Sequence, residues 1–447
     1  MYTYFEIKKE CFFENIRNIG LFNYKFVKEK NMQTTIPKYD PFASLRIKEF
    51  LFFLNTRFFL TLAIQMQSVI VAWQIYHITH DKLALGLIGL AEAIPFIAVS
   101  FFSGHVADVV SRKLIILVSM SLLIVSTSTL LYFSLDTSTV LKNYGTLPIY
   151  IVFGFIGIVR GFISAAFPAF MSQIVPRELY ANSATWNSSI WHVGAVIGPA
   201  IAGLICAISF SIAYKVNVIF ILLSILSFVF IASKPIPIKE KKETLFQSLS
   251  GGIKFVFSNQ LILAALSLDL FAVLFGGAVA MLPAFTDEIL HVGAAELGFL
   301  RAAPAVGAIF TAIILAYKPI TKNAGKNLFI NVGLFGVATI LFAISTNYYL
   351  SLLFLFLTGA FDNVSVVIRH TILQLSTPNA MRGRVSAVNS IFIGSSNEIG
   401  GFESGVMANA MGLVRSVIFG GVMTILIVAG TYKIAPKLRK LNLKNIQ

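Results

Sequence analysis

Charge is what this 447-residue chain most lacks. Asp, Glu, Lys and Arg make up 12% of it, about half the roughly 25% of an ordinary soluble domain. With 57% hydrophobic residues and 41 Phe, that deficit excludes a soluble enzyme, a nucleic-acid-binding module and a disordered chain. Cysteine is nearly absent too. Cys11 lies in a polar N-terminal segment and Cys206 in an apolar one, a spacing that offers neither a disulfide framework nor a metal site. There is no P-loop, so ATP does not drive the protein. Nor is there an HExxH, a paired Asp-rich prenyl-transfer motif or a nucleophile elbow. The expectation is therefore a non-enzyme with no cofactor and no metal.

What is present is a series of long apolar runs. Twelve can be counted, at 50–76, 85–103, 114–135, 147–170, 181–208, 216–231, 261–285, 295–317, 328–345, 349–373, 385–411 and 416–434. They are too long and too continuously apolar for barrel strands, which alternate over about 10 residues. Helices are the spanning element that satisfies its own backbone in lipid. At about 20 residues per span plus a short loop, twelve helices leave no room for a soluble catalytic domain of about 100 residues. The predicted fold class is all-α integral membrane.

Lys and Arg set the expected orientation. With the N-terminus inside the cell, 27 of the 35 fall in cytoplasmic segments and four within spans. Only Lys82, Lys142, Lys215 and Arg415 fall outside. That asymmetry follows the positive-inside rule. It also accounts for the net charge of +15, which faces anionic lipid rather than nucleic acid. The segment 1–49 has no apolar core followed by a small-residue cleavage site, so it does not read as a signal peptide. Met32 offers a second start, and residues 1–31 read as a poorly ordered tail or a misassigned start. Pro235, Pro237 and the run 239–243 mark the divide of the chain. The expected layout is a cytoplasmic tail (1–49), a six-helix bundle (50–233), a cytoplasmic linker (234–257), a second six-helix bundle (258–434) and a cytoplasmic tail (435–447). The stretch 244–257 suits an amphipathic helix along the membrane surface.

The halves repeat. An offset of 202 residues brings Pro176 onto Pro378, Asn187 onto Asn389, Gly198 onto Gly400 and Gly203 onto Gly405. An offset of 209 brings Gly89 onto Gly298, Glu92 onto Arg301 and Pro95 onto Pro304. Two parallel six-helix repeats predict an alternating-access transporter with its substrate near mid-membrane at the repeat interface.

Three motifs extend this pattern. The loop after span two reads Gly104-His-Val-Ala-Asp108-Val-Val-Ser-Arg112-Lys113. Span five reads Gly194-x-x-x-Gly198-Pro199-x-x-x-Gly203. Span eleven holds Ser395-Ser-Asn-Glu398-Ile-Gly-Gly-Phe-Glu403, accompanied by Leu297-Gly-Phe-Leu-Arg301-Ala-Ala-Pro304 and Met381-Arg-Gly-Arg384. The first resembles the cytoplasmic signature of the major facilitator superfamily, with Val109 and Ser111 departing from the fuller form. The second is similar to the signature of that superfamily's antiporters, Ala202 standing where Gly is commoner. The third resembles the bacterial exporter branch that includes enterobactin exporters, and the likeness runs from about residue 50 to 434. The resemblance implies a bacterial inner-membrane, proton-coupled exporter of small amphipathic compounds, siderophore-, drug- or macrolide-like. The partners expected are a small-molecule substrate, protons and the lipid bilayer, with no nucleic acid and a monomeric chain. The rivals are a lysophospholipid translocator and a non-transporting receptor. The resemblance also implies a cytoplasmic latch, with Gly104 permitting close packing, Asp108 capping a neighbouring helix and Arg112 pairing across the bundle.

Glu296 and Lys433 at run ends aside, nine charges lie inside the apolar runs: Arg57, Glu92, Arg160, Asp269, Arg301, Asp362, Arg369, Glu398 and Glu403. Each would cost about 2.5–3.5 kcal/mol or more if alone at mid-membrane. They must therefore pair or face a wet cavity. Four Arg against five acids leave one acid over. A carboxylate in a dry site without a cation takes up a proton readily, which suits it to coupling. Position favours Asp269 and Glu92 as proton carriers, then Asp362. The pairings expected are Glu92 with Arg301, matched by the repeat, and Asp269 with Arg57. Asp362 is expected to reach Arg369 through a neighbour. Glu398 and Glu403 are expected to be held by neighbouring Ser and Asn, or to join the cavity.

Overall fold

A computed structural model describes residues 40–235, 245–320, 322–378 and 381–443. The contacts divide the chain after Ala43. Of the first unit only 40–43 are described, in a turn where the Ala43 amide donates to the Asp40 carbonyl (3.2 Å). The run 239–243 and Cys11 lie outside the described residues.

The second unit is all helix among its described residues. The first six long helices are α1 (Lys48–Thr79), α2 (Lys82–Val109), α3 (Arg112–Phe133), α4 (Leu147–Ile174), α5 (Tyr180–Cys206) and α6 (Phe210–Val229). The last six are α7 (Gln260–Phe275), α8 (Ala294–Tyr317), α9 (Ala324–Ile344), α10 (Tyr348–Ser376), α11 (Arg382–Met411) and α12 (Leu413–Ile434). Side-chain caps begin several of them. Asp81 accepts from the Leu83 amide (2.9 Å). Asn259 accepts from Leu261 and Ile262, and Asn347 from Tyr349 and Leu350. Each cap satisfies first-turn donors that have no helical partner.

Eleven of these helices are long and apolar enough to cross a membrane, counting α7 with its continuation to Glu288. The exception is α11. Its 30 residues reach about 45 Å, but it carries Asn397, Glu398, Glu403 and several Ser. It packs against α2, α7, α12 and the helix Leu245–Ser258. Its polar side chains are therefore supported by protein instead of lipid.

The packing itself repeats. In the first half α1 packs on α5 and α6, α2 on α4, and α3 on α4 and α6. In the second half α7 packs on α11 and α12, α8 on α10, and α9 on α10 and α12. Advancing each number by six turns one set into the other. The two most extensive pairings between the halves are α2 with α11 and α5 with α8. They exchange under the same operation. Glycines set these crossings. A Cβ on Gly203 would meet Gly298 Cα at 2.7 Å, and one on Gly405 would meet Gly86 Cα at 2.8 Å. Close backbone approach through small residues is how helices associate where burial from water supplies no drive.

Polar residues buried among apolar ones fix α1 in the first half. Gln67 Oε1 accepts from Thr127 (3.1 Å) and Asn217 (3.3 Å). Gln74 accepts from Tyr214 (2.7 Å) and donates to Ser134 (2.9 Å). Two sequence expectations need amendment here. The run 261–285 is not one helix. It breaks at Gly276–Gly277, continues as a 3₁₀ segment Gly277–Met281, and resumes as Leu282–Glu288. The residues beyond 434 are not all a free tail: Leu438 and Leu441 are buried, and Leu441 accepts a hydrogen bond from the Gly325 amide.

Candidate functional site

Five of the nine intramembrane charges singled out in the sequence converge on one cavity of about 350 Å³. Both halves line it. Gln65, Gln67 and Ser68 come from α1, Glu92 from α2 and Arg160 from α4. The broken segment 276–280, Arg301, Asp362 and Glu398 come from the second half. Arg160, Asp362 and Glu398 sit near the middle of their helices, so the cavity lies at mid-span.

The ion pairs differ from those the sequence suggested. Glu92 pairs with Arg160, not Arg301. Arg160 also reaches Glu398 at 3.6 Å, so one guanidinium serves two carboxylates. Arg301 instead donates to the Val279 carbonyl (2.8 Å) and to Ser68 Oγ (3.2 Å). The repeat offset aligned Glu92 with Arg301 correctly as equivalents. Equivalent residues on α2 and α8 lie on opposite halves, and Arg160, on the helix packed against α2, is nearer. Gly157, one turn before Arg160, makes that contact: a Cβ there would collide with the Glu92 carbonyl.

Asp269 pairs with Arg369, not Arg57. Both side chains are buried, at 9% and 3% exposure, and neither lines the cavity. Arg57 stands 5.3 Å over the Phe167 ring, a cation–π contact. Because Asp269 takes Arg369, no bridge from Arg369 to Asp362 forms. The Asp362 carboxylate lines the cavity with no hydrogen bond or ion pair to any described residue. Glu403 lies outside the cavity. Its Oε2 accepts from Ser404 at 3.5 Å, and its Oε1 is buried without a partner.

The broken segment was missed from the sequence, although Gly276-Gly277 inside an apolar run was the available signal. A Cβ on Gly276 would meet the Phe335 ring at 2.7 Å, and one on Gly277 would meet the Gly400 carbonyl at 2.6 Å. Only glycine fits between α9 and α11 there. The break frees carbonyls at cavity depth, and Arg301 occupies that of Val279. The α1 run Gln65-Met-Gln-Ser68 was also passed over.

One end of the molecule is held shut. Glu288 accepts from Tyr76 Oη (2.7 Å) and pairs with Lys82 Nζ (2.7 Å). His80 Nδ1 lies 3.8 Å from Asp287. These contacts join the α1–α2 turn to the end of the α7 continuation. The glycine crossings Gly203–Gly298 and Gly86–Gly405 lie toward the same end. Nearer the other end of α5, Ala184, Thr185, Ser188 and Ser189 are exposed.

The loop motif lies at that other end. Arg112 donates to the Ala169 carbonyl of α4 (2.9 Å) and the Ala107 carbonyl (3.1 Å), and stands 3.5 Å from Asp108. It thus ties α2, α3 and α4 within the first half instead of pairing across the bundle. Lys113 donates to the Val229 carbonyl at the end of α6 (3.1 Å). Around Gly104 an added Cβ would meet nothing within 4 Å, so the close packing expected of it is absent here. Gly194 and Gly198 lie against α1, where a Cβ would meet Thr61 and Gln65 at 2.9 Å. Pro199 presents its carbonyl to Gly298.

Comparison with known proteins agrees with this architecture. The family model described as Major Facilitator Superfamily matches residues 53–401. Enterobactin exporter EntS of Shigella flexneri is 26% identical over 343 residues, covering 74% of this chain and 78% of that protein. The protein of the same name from Escherichia coli O1:K1 / APEC is 26% identical over 342 residues, with the same coverage. Among solved structures, a POT family transporter in complex with 5-aminolevulinic acid superposes with TM-score 0.68 at 14% identity, over 88% of this chain and 96% of that one. The D-xylose–proton symporter gives TM-score 0.65 at 14% identity, over 88% and 99%. A repeated six-helix packing, a charged mid-span cavity shared by both repeats and a family match over most of the chain lead to one conclusion: this chain belongs to the major facilitator superfamily, and is a multi-pass membrane transporter of its enterobactin-exporter-like branch.

Proposed function

We propose that this protein is a proton-coupled exporter of small amphipathic compounds in the bacterial inner membrane, working by alternating access as a monomer. In this reading both termini and the linker 234–257 are cytoplasmic, and residues 50–233 and 258–434 are the two bundles that rock against each other. The observation that carries the proposal is Asp362: an acid in the shared cavity with no cationic partner. An acid whose surroundings change between wet and dry as the bundles rock changes its proton affinity with conformation, which is what coupling requires. Glu92 is the second candidate, because its partner Arg160 is shared with Glu398 and one proton would relieve that competition. Asp269 recedes, since it is buried against Arg369 away from the cavity.

The remaining motif residues take mechanical roles. The latch at Glu288, Tyr76 and Lys82 holds the outer face closed in this state. Gly104, Asp108, Arg112 and Lys113 stand ready to close the cytoplasmic face in the other. Gly194 and Gly198 keep α5 close to α1 throughout, and Pro199 and Gly203 seat α5 on α8 while the outer face is closed. The driving force suffices: a pH difference of one unit is worth about 1.4 kcal/mol per proton exchanged, a concentration ratio of about ten. The test is flux into proteoliposomes made acid inside, screened with a panel of siderophores, macrolides and lysophospholipids. Accumulation of a siderophore or macrolide that a protonophore abolishes is the expected result. Accumulation indifferent to the pH gradient, or restricted to lysophospholipids, would overturn the reading.

A further inference from the structure

The cavity's charges do not balance. Five charged side chains line it: Glu92, Glu398 and Asp362 against Arg160 and Arg301. The two cations are already engaged. Arg160 is divided between Glu92 and Glu398. Arg301 is turned away to Val279 and Ser68. That orientation is telling, because Arg301 and Asp362 share a level on neighbouring antiparallel helices. Gly359 of α10 lies on the Pro304 carbonyl of α8, and Gly307 lies on Phe356. Running three residues further from Pro304 and from Gly359 reaches Arg301 and Asp362. Arg301 could have served Asp362 but is committed elsewhere. In formal charge Arg160 and Arg301 cancel Glu92 and Glu398, and the acid left over, Asp362, is the cavity carboxylate without a hydrogen bond or ion pair to a described residue.

We infer that the transported compound is an organic monocation with an apolar body, and that Asp362 receives its charge. An anion entering the cavity meets three carboxylates, and to gain a cation it must break the Arg160 cluster or pull Arg301 off the α7 break. A neutral compound leaves the excess in place. A monocation cancels it without disturbing either arginine. The wall beside Asp362 suits an apolar body as well: Phe335 and Phe342 of α9 line the same cavity, and aromatic faces attract cations. The inference rests on the transport reading above and deepens it, since substrate and proton then compete for one carboxylate. It narrows the siderophore-, drug- or macrolide-like range to its cationic members.

Tetraphenylphosphonium and tetraphenylborate separate charge from shape, because each carries four phenyl groups around one central atom with opposite net charge. Equilibrium dialysis of the purified full chain in neutral detergent, corrected with empty micelles, should show the cation held at least tenfold more tightly than the anion. Asp362→Asn should lose at least tenfold in affinity for the cation while the anion is unaffected, and Asp362→Glu should restore most of the loss. Equal or tighter binding of tetraphenylborate, no binding of either ion, or unchanged cation binding by Asp362→Asn would overturn the inference. The wild-type comparison stands even where the Asn variant does not fold. Protonophore-sensitive flux of an uncharged panel compound, without cation binding, would sink this inference and leave the transport reading intact. Cation binding at Asp362 without any flux would sink the transport reading alone.

Discussion

Replacing Asp269 by Asn tests whether its pairing with Arg369 is structural. The two side chains are 9% and 3% exposed, and Arg369 Nε already lacks a hydrogen-bond partner. Removing the carboxylate strands a buried guanidinium. Breaking a buried pair by removing one partner costs about 3–5 kcal/mol, and a lone Arg at mid-membrane costs about 2.5–3.5 kcal/mol on insertion scales. The two agree at about 3 kcal/mol. Replacing both partners by uncharged residues is often close to neutral, so Asp269→Asn with Arg369→Met should return to within about 1 kcal/mol of wild type. Reversible unfolding in mixed dodecyl sulfate micelles measures these differences. The double variant should also retain gradient-driven transport, because neither residue lines the cavity. If Asp269→Asn unfolds like wild type but loses uphill transport, the pair is part of the coupling machinery and the structural reasoning fails.

Glu288→Gln should weaken the outer latch. The Lys82–Glu288 pair is partly exposed, so its loss is worth about 1 kcal/mol at most, roughly a fivefold shift toward the outward-open state. With Cys11 and Cys206 replaced, a cysteine at Thr358 should then react faster with an impermeant maleimide added outside; an unchanged rate would dismiss the latch. Asp108→Asn and Arg112→Ala should cut transport while leaving expression near normal, because they hold one conformational state rather than the fold. Wild-type transport in both would remove the motif from the gate. A cysteine in the linker 234–254 should resist impermeant thiol reagents in intact cells, and ready labelling would reverse the orientation.

Much of the fold was legible because a membrane allows few solutions. Apolar runs must be helices, and the repeat offsets pointed to two equivalent halves. Span 261–285 was misread as continuous because hydropathy averages over Gly276-Gly277. The glycine pair keeps the run apolar while breaking the helix. For the site, five of the nine intramembrane charges line one cavity and the other four do not. Their partners were not legible. Repeat symmetry says which residues are equivalent, whereas pairing depends on which helices touch. Arg160 on α4 lies against α2, and Arg369 on α10 reaches Asp269 on α7. Neither contact has a trace in sequence spacing. The surplus acid was deduced by counting, but only the geometry points to Asp362.

The central claim is that a cavity acid exchanges its proton for substrate. The most direct measurement compares wild type and Asp362→Asn in proteoliposomes acid inside, at saturating concentration of a panel compound that the wild type accumulates. The account predicts that the variant still exchanges labelled for unlabelled substrate down a gradient, yet no longer concentrates it. Undiminished proton-driven accumulation by Asp362→Asn would contradict the account.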